Sequence, residues 1–268
     1  MTDIRSHFGF TATPFTREIP VEKRFCHAVF DEPLDAIEKT IADRMSAAVL
    51  SAAGTGKTMF VRTLADRLPQ ARYRVHYIKT TSIGRRDMCR ELCTALGCEP
   101  AGQYNTLVRR IDECLLGHVD ISGLRPVIII DDAHEMRPDV LGMLRVLSNF
   151  EMDSRLIVSF ILLGQKPLAK ILGRDSFEDL ARRIAHYATL RNLTREETRA
   201  YAAHRQAVAG AKGDLLSDEA HDSVYEIGGG NLRATDRLCL KALQLAAREG
   251  APAVSASHVA GARQVLWP

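Results

Sequence analysis

The segment Ser51-Ala52-Ala53-Gly54-Thr55-Gly56-Lys57-Thr58 is the most informative part of this 268-residue chain. It follows a short apolar run, Ala47 to Leu50, and precedes a segment with helical spacing that extends from about residue 56 to the residue before Pro69. A strand, a glycine-bearing loop and a helix in this order form the setting of the phosphate-binding pattern G-x-x-x-x-G-K-[ST], the P-loop. At the start of such a helix, backbone N–H groups and the helix dipole attract an anion. The stretch therefore predicts a nucleotide site.

Each position of the loop has an expected task. Gly54 and Gly56 give the backbone the freedom to wrap a phosphate. Lys57 would reach the β- and γ-phosphates of ATP, and the hydroxyl of Thr58 would ligate Mg²⁺. Ser51 departs from the pattern, which begins with glycine, so its backbone has to tolerate the turn. The predicted nucleotide contacts are Ser51, Ala53, Gly54, Thr55, Gly56, Lys57, Thr58 and Met59.

A second signal is the run Val127-Ile128-Ile129-Ile130-Asp131-Asp132. An uninterrupted apolar strand is expected where helices cover both faces of a sheet. A carboxylate at the end of such a strand costs free energy unless it meets a metal ion or strong hydrogen-bond donors. Asp131 is therefore predicted to hold the Mg²⁺ shell. The alternative is that the two acids only cap the following turn.

Strand-like and helical segments alternate as far as Leu193, which predicts parallel crossovers and an α/β fold with a doubly wound parallel sheet. After Leu193 no strand-like run remains, and Thr194-Arg195-Glu196-Glu197 has the pattern of a helix capping box. We expect three parts in the chain. They are a loop-like N-terminal strap (1–25), a nucleotide-binding α/β domain (26–193) and a smaller helical lid domain (194–268).

Composition excludes several other classes of protein. The net charge of +3 is too small to indicate a polyanionic partner without clustering of the basic residues. The N-terminus has no hydrophobic signal core, and no apolar run approaches the ~18 residues that span a membrane. We therefore expect a cytoplasmic protein without a membrane partner of its own. The six cysteines lack metal-ligand spacing and are expected to be reduced structural thiols.

Six short motifs appear in a fixed order along the chain. They are Phe8-Gly9-Phe10 with Pro14-Phe15, Gly54-Thr55-Gly56-Lys57-Thr58, Asp131-Asp132-Ala133-His134, Leu163-Gly164-Gln165, Arg183-Ile184 and Gly230-Asn231-Leu232-Arg233. In content and order they resemble the motifs of AAA+ ATPases of the ExeA/GspA-like superfamily, nearly from end to end. The resemblance implies the P-loop AAA+ form of the α/β fold.

The same resemblance implies roles for four residues. Asp132 stands where AAA+ enzymes usually carry a glutamate that polarises the attacking water, and its shorter side chain implies slow or assisted hydrolysis. Gln165 would be sensor 1, which touches the γ-phosphate or the water; a plain loop glutamine is the alternative. Arg183 would enter the neighbouring subunit's site in a ring or helical filament, unless it is a solvated surface arginine. Arg233 would bind the γ-phosphate as sensor 2.

The superfamily has two well-known uses. Secretion ATPases carry a membrane span and a periplasmic peptidoglycan-binding region after the ATPase, and neither is expected here, because the sequence runs to Trp267-Pro268 without them. Similar ATPases of mobile elements resemble the TnsC, TniB and Mu B transposition regulators, which polymerise on DNA with ATP and present the target to a transposase. We expect a regulator of this kind. The alternatives are a secretion or envelope-assembly ATPase with a separate membrane partner, and a nucleotide-dependent scaffold with negligible hydrolysis.

A basic segment gives independent support for duplex DNA as a partner. Lys79-Thr80-Thr81-Ser82-Ile83-Gly84-Arg85-Arg86 joins a strand end to a helix start, and the corresponding element lines the central channel in AAA+ proteins that load onto DNA. Hydroxyls, a lysine and two arginines suit phosphate contacts, which give affinity without sequence specificity. The expected DNA contacts are Lys79, Thr81, Arg85 and Arg86. A solvated basic loop is the alternative.

Overall fold

The computed structural model describes residues 3–79, 82–150 and 154–266. Its strands are β1 (Ser46–Ser51), β2 (Tyr73–Lys79), β3 (Arg125–Asp131), β4 (Ser159–Gly164) and β5 (Ile184–Leu190). They form one five-stranded sheet in the order β2-β3-β4-β1-β5, and every pair of neighbours is parallel. The carboxyl ends of the strands that lead into the P-loop and into Asp131 therefore lie at the same edge of the sheet.

Helices alternate with these strands and then continue alone. Before the last strand they are α1 (Ile4–Phe8), α2 (Ala28–Ala42), α3 (Lys57–Arg67), α4 (Arg85–Leu96), α5 (Tyr104–Asp120), α6 (Pro138–Leu147), α7 (Lys166–Leu172) and α8 (Glu178–Ala181). After it they are α9 (Arg195–Val208), α10 (Asp218–Gly228), α11 (Leu232–Glu249) and α12 (Ala256–Leu266). In the described part of the chain, no helix combines the length and the apolar character needed to cross a membrane.

The central strand β3 shows why helices cover both faces of the sheet. Residues 127–130 are completely buried. Because successive side chains of a strand point to opposite faces, Ile128 and Ile130 pack with α4, α5 and α6, whereas Val127 and Ile129 pack with α2 and α3. The predicted doubly wound parallel sheet is confirmed.

The chain divides into two compact units. One comprises Phe30–Ala53 and Phe60–Leu190, which include the sheet and the helices packed on it. The other comprises the chain up to Val29, Gly54–Met59 and the chain from Arg191 onward. The P-loop segment thus belongs to the same unit as the C-terminal helices.

The helical unit has its own core. Phe10 and Phe15 are buried in it against α9, α10, α11 and α12. Arg205 of α9, only 6% exposed, pairs with Asp236 of α11 at 3.2 Å and donates to the carbonyl oxygen of Thr16. Aromatic packing and a buried ion pair therefore hold the N-terminal segment to these helices.

Two local expectations were wrong. Residues 1–25 are not all loop-like, because Ile4–Phe8 form α1, whose first turn is capped by the side chain of Asp3 and whose end is marked by Gly9 in a left-handed conformation. The apolar run from Leu156 to Leu163 predicts a buried strand, but the chain enters the sheet only at Ser159. The preceding Arg155 forms an isolated antiparallel bridge with Phe150, which directs the chain away from the ladder. Residues 157 and 158 are apolar and buried, as the residues of a central strand would be, although they lie outside the strand.

Two further local predictions are confirmed. The capping box of α9 is present, since Thr194 accepts from the backbone N–H of Glu197 and the Glu197 carboxylate accepts from the backbone N–H of Thr194. The six cysteines are free thiols, and Cys89 and Cys93 lie on the buried face of α4, whereas Cys26 is exposed and is not a packing residue. Burial raises the pKa of the Cys89 thiol to about 11, so it is a packing residue with little thiolate at neutral pH.

Candidate nucleotide-binding site

The loop after β1 has the backbone of a phosphate-binding loop. Gly54 and Gly56 take left-handed conformations, with φ of 83° and 97°, and α3 begins at the next residue, Lys57. Ser51 is the last residue of β1, is 3% exposed and does not have a positive φ. The position that departs from the glycine pattern is therefore extended strand, which any residue adopts, and the turn is made only by the two glycines.

The donors around this loop fit a polyphosphate. An 11-residue helix starts there, and the N–H groups of its first turn have no partner within the helix. Lys57 is half-buried and Thr58 is exposed at the beginning of α3. Of the other predicted contacts, Ala53 is exposed, Met59 is half-buried and Thr55 is buried.

Within the helical unit, the start of α11 lies directly against the loop. The backbone N–H of Arg233 donates to the carbonyl oxygen of Gly54 at 3.2 Å. A Cβ on Gly54 would overlap the side-chain oxygen of Asn231 and lie 3.0 Å from the Cβ of Arg233. Asn231 itself caps α11, since its Oδ1 accepts from the backbone N–H of Ala234 at 3.2 Å. The structure thus brings together two motifs that lie far apart in the sequence.

Gly230 fixes the direction of the chain into that cap. Its φ is 69°, and a Cβ there would overlap the carbonyl oxygen of Leu193. The backbone N–H of Leu193 also donates to the carbonyl oxygen of Gly230 at 2.9 Å. Only glycine suits this position, which explains physically why the motif before Arg233 begins with one.

Asp131 ends β3, is 8% exposed and has a hydrogen bond to each carboxylate oxygen. The backbone N–H of Asp132 donates to Oδ1 at 2.8 Å, and the hydroxyl of Tyr77 donates to Oδ2 at 2.9 Å. Sequence reasoning did not select Tyr77. The sequence around Tyr77 does not indicate this contact, because only the folded sheet shows which strand lies beside β2. Strong donors therefore do compensate the burial of this carboxylate.

Asp132 has an unusual backbone. Its φ of 49° and ψ of 38° place it in the left-handed region, which few non-glycine residues adopt and which aspartate tolerates better than most. Strain of this kind clusters at functional positions. Its side chain is half-buried and does not cap the following turn of 3-10 helix. The structure therefore does not support the alternative in which Asp132 only caps that turn.

Gln165 follows β4, the strand between β1 and β3. It occupies the N-cap position of α7, yet its side chain makes no capping hydrogen bond. At the preceding residue, Gly164, a Cβ would come within 3.3 Å of the backbone nitrogen of His134 and within 3.0 Å of Leu168. Close packing therefore holds the ends of β3 and β4 together at the edge where Asp131 lies.

Arg183 lies beyond α8 in the sheet unit. Its side chain is half-buried, and Nη1 donates to the carbonyl oxygen of Ser148 at 3.3 Å. The neighbouring Arg182 is exposed and pairs with Glu178 at 2.5 Å. Both arginines line an open groove. The other lining residues are Asp112, Arg145, Val146, Asn149 and Asp179. The two adjacent arginines are thus held in different ways, one by a backbone carbonyl and one by a surface ion pair.

Comparison with known proteins decides the class. The AAA domain family matches residues 41–172, which include β1, the P-loop, Asp131 and Gln165. Residues 41–172 are an AAA domain. AAA+ ATPases bind nucleotide, and the P-loop with its N–H donors is consistent with such a site. Among the described residues, no group of three or more His, Cys, Asp or Glu side chains is placed to hold a metal ion. Nucleotide sites usually bind Mg²⁺ through one or two carboxylates together with the substrate phosphates.

One curated relative shows the similarity at the level of sequence. The chain is 30% identical over 199 residues to the General secretion pathway protein A of Aeromonas hydrophila. The match covers 74% of this chain and 36% of the relative. The chain therefore spans about a third of the length of that relative.

Several solved structures share the fold. Cdc6p from Pyrobaculum aerophilum has a TM-score of 0.72 at 16% identity, over 94% of this chain and 70% of that one. The Aeropyrum pernix ORC1 protein, solved in complex with DNA, has a TM-score of 0.67 at 17% identity, over 96% and 70%. The Thermotoga maritima RuvB Holliday junction branch migration motor has a TM-score of 0.59 at 17% identity, over 88% and 67%. At these identities the likeness establishes the fold.

The basic segment, residues 79–86, is only partly described. Thr81 lies outside the described residues, and Lys79 is exposed at the end of β2. Arg85 lies over the ring of Tyr104 at 5.5 Å, and its Nε is 3.5 Å from Asp139. Arg86 donates to the carbonyl oxygen of Gly102 at 3.2 Å. Both arginines are exposed and each has an intramolecular partner, so they are ordered basic groups at a protein surface.

Proposed function

We propose that the ATPase binds ATP with Mg²⁺ and hydrolyses it. Lys57 faces the β- and γ-phosphates, Thr58 ligates the ion and Asp131 completes the shell of the ion. The observation that carries this proposal is the backbone of the loop, with Gly54 and Gly56 left-handed directly before the N-terminus of α3. The parallel sheet supports it, since β1 and β3 end at the same edge.

Hydrolysis needs a group that polarises the attacking water. Asp132 takes this role from a backbone position in the left-handed region. Gln165 orients the water or the γ-phosphate from the end of β4. Arg233 senses the γ-phosphate, and the hydrogen bond from its backbone to Gly54 supports that assignment.

The site is completed by a second copy of the chain. Arg183 stabilises the transition state on the neighbouring subunit's ATP, as trans arginines do in phosphoryl transfer. The bond to the Ser148 carbonyl holds Arg183 in a half-buried position beside an open groove. We infer a homo-oligomer, either a ring or a helical filament, in which ATP lies at each junction.

The oligomer binds duplex DNA without sequence specificity and presents it to a transposase. Lys79, Arg85 and Arg86 supply exposed positive charge for phosphate contacts. Two of the proteins that share the fold support a nucleic-acid role: the Aeropyrum pernix ORC1 structure contains DNA, and the Thermotoga maritima RuvB is a branch migration motor.

Two other functions have specific support. Similarity to the General secretion pathway protein A favours an ATPase that serves a secretion assembly through a separate membrane partner. Aspartate in place of glutamate at position 132 favours a scaffold that binds nucleotide and scarcely hydrolyses it. A DNA-binding assay distinguishes the secretion ATPase from a transposition regulator. A turnover assay distinguishes the scaffold from an active ATPase.

One experiment addresses all three. Purified protein is imaged by negative-stain electron microscopy with duplex DNA, without nucleotide, with ATP and with a non-hydrolysable analogue, while phosphate release is measured in parallel. We expect DNA-bound assemblies with the analogue, and phosphate release that DNA stimulates. Lys57→Ala, which lacks the charge facing the phosphates, should show neither, whereas Lys170→Ala on α7 should behave as wild type. Protein with ATP that ignores DNA at low salt would exclude the DNA role.

A further inference from the structure

The hydroxyl of Tyr77 and the carboxylate of Asp131 form a contact between neighbouring strands. The two residues are not opposite each other in the parallel register, where Tyr77 pairs with Ile129 and Lys79 pairs with Asp131. Tyr77 therefore reaches diagonally toward the strand end, a distance that a long aromatic side chain spans. Its hydroxyl ends 2.9 Å from Oδ2 of Asp131.

Each oxygen of this carboxylate has a donor. Oδ1 of Asp131 accepts from the backbone N–H of Asp132, and Oδ2 accepts from Tyr77. The first donor belongs to the backbone and resists substitution, whereas the phenol can be removed by a side-chain change.

Packing does not explain the tyrosine. Tyr73 and Val75 precede it on the same face of β2 and pack against the core of the sheet unit. Tyr77 continues that row but is 49% exposed, on an edge strand of the sheet. A large apolar ring at a half-exposed position gains little from burial, whereas its polar end reaches a buried carboxylate. The hydroxyl is thus the part of the side chain with a specific partner.

The phenol is the donor in this contact, because an ionised carboxylate can only accept. Hydrogen bonds to an ionised acceptor are stronger than those between neutral groups, which suits a residue that orients a carboxylate.

We propose that Tyr77 is a positioning residue for the metal ion. It holds the Asp131 carboxylate in the orientation that accepts the Mg²⁺ shell of the bound nucleotide. The inference rests on the proposed function of Asp131 in that shell. Groups that orient a metal ligand through a hydrogen bond typically change metal affinity or activity by about 10–100-fold when removed.

The test is the Mg²⁺ dependence of nucleotide binding by Tyr77→Phe, which keeps the ring and removes only the hydroxyl. Binding of a fluorescent ATP analogue is titrated with Mg²⁺ in the full chain, without turnover. We expect analogue binding in the absence of Mg²⁺ to be unchanged, and the Mg²⁺ concentration for half-maximal enhancement to rise about tenfold. The Mg²⁺ required for half-maximal ATPase rate should rise in parallel, while the rate at saturating Mg²⁺ changes less.

Two further variants make the result decisive. Tyr187→Phe is the matched control, since Tyr187 is 43% exposed on the other edge strand and its hydroxyl has no hydrogen-bond partner among the described residues. It should titrate as wild type. Asp131→Asn should lose the Mg²⁺ enhancement. If Asp131→Asn loses it and Tyr77→Phe titrates as wild type, the positioning role is wrong and the proposed site stands. If Asp131→Asn also titrates as wild type, the proposed role of Asp131 is wrong.

Discussion

The backbone N–H of Arg233 donates a hydrogen bond to the carbonyl oxygen of Gly54, with 3.2 Å between nitrogen and oxygen. Gly54 belongs to the P-loop and Arg233 to the first turn of α11. A change in the loop backbone on binding phosphate would therefore be felt at the start of a helix of 18 residues. Through this hydrogen bond, the proposed sensor Arg233 is connected to the P-loop by its backbone and not only by its guanidinium.

The first prediction concerns this link. Gly54→Ala should destabilise the fold and weaken ATP binding, because the alanine would be left-handed and its Cβ would overlap Asn231. The left-handed conformation alone costs roughly 1–2 kcal/mol, and displacement of the Asn231 cap adds about 1 kcal/mol. Thermal denaturation and calorimetric titration with ATP measure the two effects.

Gly97→Ala is the control for Gly54→Ala. Gly97 has a φ of 82°, close to the 83° of Gly54, and a Cβ there meets nothing within 4 Å. It should lose only the stability that the left-handed conformation costs and should bind ATP normally. Equal losses of stability in the two variants would show that the contact between the loop and α11 contributes nothing.

The second prediction concerns Asp132. Asp132→Asn should fold and bind ATP, because asparagine tolerates the left-handed backbone as well as aspartate does. Turnover should fall by at least about a hundredfold, since the amide cannot act as a base. ATP-bound assemblies should then persist, as judged by filter retention of labelled nucleotide over time. Hydrolysis at the wild-type rate would remove Asp132 from the role of water-polarising group.

The third prediction concerns assembly. Specific ATPase activity should rise with protein concentration, because Arg183 would act on the ATP of the adjacent subunit. Arg183→Ala should lose about a thousandfold or more in turnover with little change in ATP affinity. Arg182→Ala is the matched control, since that exposed arginine pairs with Glu178 on its own surface, and it should stay active.

Mixing variants tests the same idea more strictly. Arg183→Ala and Asp132→Asn subunits, each inactive alone, should partly restore turnover when combined. A junction between them can pair an intact arginine with an intact aspartate. Absence of any rescue across all mixing ratios, with mixed assemblies shown by crosslinking, would contradict an arginine that acts in trans.

The fourth prediction concerns DNA. Arg85→Ala combined with Arg86→Ala should weaken binding to all duplex sequences about equally, because phosphate contacts carry no base information. The slope of log affinity against log salt should fall by roughly one unit for each arginine–phosphate pair that the substitutions remove. ATP binding without DNA should be nearly intact. Fluorescence anisotropy at several salt concentrations measures the affinity.

Arg199→Ala provides the control for the DNA variant. Arg199 is an exposed arginine of α9 in the helical unit and pairs with Asp218. It should leave both affinity and salt slope unchanged. A double variant with full affinity would move the DNA contacts to another surface of the protein.

Local patterns predicted much of the fold because they follow from short stretches of chain. Four apolar residues in succession, 127–130, are enough to indicate a strand covered on both faces, and the capping box at Thr194 marks the start of a helix without help from distant residues. Where local patterns are ambiguous, the prediction was wrong. The buried residues 157 and 158 have the same apolar character whether or not they join the ladder.

Residues that are neighbours in the chain are enough to predict the P-loop, the buried strand that ends in Asp131 and the change from α/β to helical structure after Leu193, because each of these patterns is local. The contacts of Tyr77 with Asp131 and of Arg233 with Gly54 arise only when the chain folds. The first contact joins residues separated by 54 positions in the sequence, and the second joins residues separated by 179 positions. They exist because the sheet places β2 beside β3 and the helical unit includes the P-loop segment. The free energy that selects these neighbours comes from burial of whole faces, which no single stretch of sequence records.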